Sequence, residues 1–115
     1  MTSRTAEIKL TVELDANNVA TRIVWQAAEA PGGEPAKCQS VMLSLWDTEK
    51  QTTAAIDLWT RDMTVDDMNA FFHQVLHKMA DTYLRATKNE PVAQSISEFA
   101  RTFGDRARAA EEHSS

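Results

Sequence analysis

The sequence predicts an α+β fold: a four-stranded antiparallel sheet in meander-like order, followed by two C-terminal helices packed on one face. Three observations predict it. Apolar side chains recur with a period of two up to about Trp59, they recur at threes and fours from Thr64 onward, and the two patterns come in blocks. A period of two marks strands and one near 3.6 marks helices. Strands followed by helices, without alternation, give α+β rather than a wound parallel sheet.

Each strand has its own justification. Ile8, Leu10, Val12 and Leu14 share one face of the first, with Lys9, Thr11 and Glu13 on the other. Asp15-Ala16-Asn17-Asn18 is a turn, because Asn and Asp tolerate left-handed backbone and bond their own main chain. The second strand points Ile23, Trp25 and Ala27 inward. Pro31-Gly32-Gly33-Glu34-Pro35 cannot hold a ladder and reads as a mobile loop, a place for a lid or for no function at all. Strands three and four close at Thr48-Glu49-Lys50-Gln51, which sets Leu43 opposite Ile56 and Leu45 opposite Ala54. Both apolar sets then fall on one side, so the pattern and the turn agree on a register.

The period changes at Thr64, an N-cap residue with Asp67 in the capping-box place and Met63 and Met68 set for a hydrophobic staple. Val65, Met68, Phe72, Val75, Leu76, Met79 and Tyr83 form the stripe of a helix over about 64–87, widened by Phe71 and Leu84. Asn89-Glu90-Pro91 opens a second helix over about 89–108, with Val92, Ile96, Phe99, Ala100, Phe103 and Ala107 as its stripe. The two helices are expected to cover the face made by Leu10, Val12, Trp25, Leu43 and Ile56. Residues 109–115 are expected to fray into a disordered tail.

Composition bounds the function. A chain of 115 residues is near the commonest size for one domain, here about 1–110 with the sheet over about 5–62. Hydrophobic residues make up 43% and charged residues 25%, which is ordinary for a globular protein. The N-terminus has no apolar signal region, no run is long enough for a membrane span, and Cys38 is the sole cysteine. These point to a soluble cytoplasmic protein. A net charge of −5 with no basic stripe argues against nucleic acid as a partner.

Catalytic constellations do not emerge. The chain holds three glycines and neither a phosphate-cradling glycine loop nor a Gly-x-Ser-x-Gly elbow. Cys38 beside Lys37 has a cation to lower its pKa, yet it also reads simply as a small strand residue. His73 and His77 stand at i and i+4 on a line with Asn69 and Asp81, a spacing that suits zinc, but a third ligand is not evident and His113 lies far along the chain. The alternative for the pair is a solvated polar face opposite the Phe72 stripe. No cofactor is expected, and the protein reads as a non-enzyme.

The second face of the sheet is harder to set aside. Opposite the core side, strands three and four present Cys38, Ser40, Met42, Ser44, Trp46, Ala55, Asp57 and Trp59, with Val24 joining from strand two. A solvated face is usually charged or threonine-rich. Two tryptophans and a methionine among small residues suit contact with another protein, since aromatics and Met are enriched at interfaces. Cover by the chain's own tail, loop or second helix is the alternative. Burying each tryptophan would be worth about 2–3 kcal/mol. Self-association into a dimer or tetramer is the first form to expect, because most soluble oligomers are symmetric homo-oligomers.

Several stretches together resemble the gliding motility-associated GldC family. They are Glu7-Ile8-Lys9-Leu10-Thr11-Val12-Glu13-Leu14-Asp15, Ile23-Val24-Trp25, Met42-Leu43-Ser44-Leu45-Trp46-Asp47, Ile56-Asp57-Leu58-Trp59-Thr60-Arg61-Asp62-Met63, Phe71-Phe72-His73-Gln74 and Met79-Ala80-Asp81-Thr82-Tyr83. The resemblance covers roughly residues 5–105 and departs from the family pattern in the Pro-Gly loop and the Ala-rich C-terminal end. It implies an accessory protein of a motility assembly or of linked secretion machinery, with no catalytic residue or cofactor to carry over. The order of four strands then two helices is also similar to the SecB-like export chaperones, an analogy of architecture that suggests a chaperone for unfolded or secretory clients as a second reading.

Overall fold

The computed structural model describes residues 3–27 and 33–114. It is α+β, and the chain divides into two compact units, Met1–Met63 and Thr64–Ser115. The strands are β1 (Ile8–Leu14), β2 (Ala20–Ala27), β3 (Ala36–Cys38), β4 (Ser40–Asp47) and β5 (Thr52–Trp59). The helices are α1 (Val65–Thr87) and α2 (Glu90–Ser114).

The first unit corrects the expected sheet. Among the described residues five strands form two sheets, a three-stranded β1-β2-β3 and a two-stranded β4-β5, all antiparallel, in place of one sheet of four. The expected third strand is broken at Gln39. Cys38 before the bend pairs with Ile23 of β2, while Ser40 after it pairs with Trp59 of β5. In the sequence the alternating set Cys38, Ser40 and Met42 continues past this point, and for that reason periodicity reads one strand where the backbone changes partner. The Gln39 carbonyl accepts the Thr60 N–H at 2.8 Å and the Ala20 carbonyl accepts the Arg61 N–H at 3.1 Å, which ties the end of β5 to the bend and to the start of β2.

Both tight turns use an aspartate as their own template. At the end of β1, the Asp15 carboxylate accepts the N–H groups of Asn17 and Val19 at 2.8 and 3.1 Å, and Asn18 takes a left-handed φ of 62°. At the end of β4, the Asp47 carboxylate accepts from Glu49 and Lys50 at 3.0 and 3.1 Å, and Gln51 takes φ 55°. The predicted β4–β5 register holds, with Leu43 opposite Ile56 and Leu45 opposite Ala54. Of the Pro-Gly loop, Pro31 and Gly32 lie outside the described residues; the Gly33 carbonyl accepts the Gln26 side-chain amide at 2.7 Å.

The second unit is an α-helical hairpin. Thr64 caps α1, its hydroxyl accepting the Asp67 N–H at 3.0 Å, and Asp66 and Asp67 sit in the first turn where the helix dipole favours them. Lys88 ends the helix in the left-handed region with its N–H on the Leu84 carbonyl. α2 runs past Gly104 to Ser114, through the stretch expected to fray. Among the described residues the buried ones of the hairpin are Ala80, Ala93 and Ala100, and a Cβ on Gly104 would meet the His73 ring at 2.8 Å. Small residues on α2 therefore form the seam. The large apolar residues stand to one side of it, joined by the stacked Phe72 and Phe103 rings with centroids 6.4 Å apart.

Candidate interaction surface

The β4–β5 register assembles most of the predicted surface from the backbone upward. Met42 pairs with Asp57, Ser44 with Ala55, Trp46 with Thr53 and Ser40 with Trp59, so these side chains share one face of the two-stranded sheet. On it Trp46 is 61% exposed, Trp59 56% and Met42 43%. Tryptophans at such exposure on a strand pair bring a large apolar surface into water with no packing return. Val24 does not belong to this group: it lies half-buried in β2, paired with Thr11 and Lys37 in the other sheet. Cys38 also falls in that other sheet, and its thiol is pushed up from its ordinary value by burial, the opposite of an activated nucleophile.

The opposite face of the same hairpin is exposed as well. Leu43, Leu45 and Ile56, expected in the core, stand at 39, 53 and 47% exposure, and Trp25 in β2 is exposed too. Alternation finds which residues share a face but not whether anything covers it, and the pattern alone therefore assigns these residues to the interior. Charge on the paired positions is confined to Asp47 and Asp57.

His73 and His77 are brought together by their helical spacing, their Nε2 atoms 3.1 Å apart. One ring donates and the other accepts. His73 is not on a wholly solvated face, since it is half-buried against Gly104 of α2. Among the described residues no group of three or more His, Cys, Asp or Glu side chains is placed to hold a metal. Nearby, the Asn69 amide donates to the Glu111 carboxylate at 3.1 Å and clips the open ends of the hairpin together.

The family model of the GldC-like gliding motility-associated proteins matches residues 20–109, and the chain belongs to that family. The match runs through both units, from Ala20 at the start of β2 well into α2. No curated protein and no solved structure matches the chain. No helix among the described residues is long and apolar enough to cross a membrane.

Proposed function

We propose that the protein is a non-enzymatic accessory or adaptor protein of the cytoplasm, working as a homo-oligomer that contacts other proteins of a motility or secretion assembly. Membership of the gliding motility-associated family supports the setting. The observation that carries the mode of action is the exposed group of Met42, Trp46 and Trp59 on one face of β4–β5. Flat aromatic residues flanked by Ser44 and Ala55 suit docking against a folded surface, where Trp supplies the largest share of binding energy. The decisive experiment isolates one partner with the wild-type protein, purifies it, and measures direct binding. A Trp46→Ala, Trp59→Ala variant with unchanged circular dichroism is expected to lose affinity by at least tenfold. Undiminished binding by that variant would sink the assignment of the Trp face.

Exposure of both faces of the β4–β5 sheet favours a second reading, a chaperone-like holder of unfolded clients. Suppressed aggregation of several unrelated unfolded proteins would select that reading, and failure with all of them would dismiss it.

A further inference from the structure

We infer that the apolar face of the α1–α2 hairpin is the self-association surface, and that a second copy of this chain covers it. The inference rests on the oligomeric adaptor reading and deepens it by separating two surfaces: helices for the second copy, the Trp46 and Trp59 face for the partner. The argument starts from how α1 and α2 touch. Their seam holds Ala80, Ala93, Ala100 and the Gly104–His73 contact, so the helices approach closely through small residues there. The large side chains are displaced to one common side, where the Phe72–Phe103 stack bridges the two helices. There Met79 and Phe99 stand 51 and 56% exposed, with Phe72 and Val92 also exposed.

An amphipathic layer of two helices has to bury its apolar face against another layer. Two such hairpins face to face make a four-helix arrangement, the simplest closed solution. The dimensions suit a stable dimer. α1 has 23 residues, and at ~1.5 Å per residue it is about 35 Å long. Two helices side by side, each about 10 Å across, give a footprint of roughly 700 Å², close to the ~800 Å² per partner of a standard interface. The face is also self-complementary by default. Met68, Phe72, Val75 and Met79 on α1, with Val92, Ile96, Phe99 and Phe103 on α2, carry no charge, so two copies meet without like-charge repulsion. Interfaces this apolar belong to obligate homo-oligomers rather than to transient encounters.

Solution mass by light scattering on the full chain tests this, across about 1–100 μM. Wild type is expected at twice the chain mass or more. A Met79→Glu, Phe99→Glu variant is expected to fall in mass, its dissociation constant raised at least 100-fold, while a Trp46→Lys, Trp59→Lys variant keeps the wild-type mass. A wild-type monomer at 100 μM overturns the inference, and so does a mass lost only in the tryptophan variant. A second measurement decides if the glutamate variant fails to fold. In a Cys38→Ser background, single cysteines replace Phe72, Met79, Val92 or Phe99 on the apolar face, or Gln94 or Arg101 as controls. Intermolecular disulfides are expected from at least one apolar-face position and from neither control; equal yields from both sets would also overturn it. Partner binding through Trp46 and Trp59 is read separately. A wild-type monomer that still binds its partner keeps the partner-binding part of the adaptor reading and removes its homo-oligomer, whereas a helix-paired dimer that binds nothing removes the adaptor reading and leaves this one.

Discussion

At Gly104 the two helices leave no room for a side chain, because a Cβ there would sit 2.8 Å from His73 Nε2 and 3.0 Å from Cε1. An alanine would gain up to about 1 kcal/mol of helix propensity but press on the ring, so its net effect is small. A larger residue has no such offset. Gly104→Leu is expected to cost the hairpin about 1–3 kcal/mol by overpacking, with partial rescue by His73→Ala, as read by urea denaturation of the three variants. Rescue fails if His73 is not the group being displaced. Asp15 makes a different prediction. Its carboxyl is held below its ordinary value of 3.8, first by the Val19 N–H, then by the Asn17 N–H, with Arg61 adding its charge at 3.1 Å. A depressed carboxylate contributes stability that is complete above its unfolded value and is lost as pH falls through its folded one. Wild type should therefore lose stability as pH drops below about 3.8, and Asp15→Asn should flatten that slope. Denaturation midpoints collected from pH 6 to pH 2 check it, and parallel curves would remove Asp15 from the acid response.

Helix termini show how far local chemistry determines an element. Thr64 is the sole side chain bonding the first-turn N–H of Asp67 among the described residues, and Thr64→Ala is expected to cost about 1 kcal/mol. Lys88 holds a left-handed φ of 60° at the other end, where glycine fits without strain. Lys88→Gly is expected to raise stability by a few tenths to about 1 kcal/mol, and thermal melts of the two variants should move in opposite directions. Such signals are short-range and therefore legible in the sequence: the Thr64 cap, the Asp15 and Asp47 turns, and the Leu43–Ile56 register all follow from neighbours along the chain. The break at Gln39 is not legible there, because the choice between β2 and β5 as partner is made by long-range pairing that leaves the alternation of Cys38, Ser40 and Met42 unchanged. The helix seam is hidden for a related reason. Large apolar residues attract attention as the packing stripe, and Phe103 does stack on Phe72, yet the residues buried deepest in α2 are Ala93 and Ala100 and the tightest approach is at Gly104, because the size of a residue does not announce which neighbour it faces. Of the candidate surface, periodicity groups Met42, Ser44, Trp46, Ala55 and Trp59 as the backbone does, while Val24 belongs to the other sheet because the meander is interrupted at Gln39.

For the molecule as a whole, the buried inventory is thin. Among the described residues, Ile23 is the one large side chain that is fully buried, and the other buried apolar residues are alanines. A two-stranded sheet is marginal in water unless something covers a face. On the proposed reading, further burial comes from exposed residues such as Met79 and Phe99 meeting another surface. If that surface is a second copy, unfolding is linked to dissociation and the melting temperature depends on protein concentration. Each tenfold rise in concentration adds about 1.4 kcal/mol to the folded dimer. Two chains of 115 residues unfold together, which converts that increment into a rise in melting temperature of roughly 3–5 °C per decade. Calorimetry at 5, 50 and 500 μM should show that progression in wild type and a lower, concentration-independent transition in Met79→Glu, Phe99→Glu. A wild-type melting temperature that stays constant over the two decades would mean that the chain stabilises itself, and the exposed apolar faces would then be available for a partner rather than for a second copy.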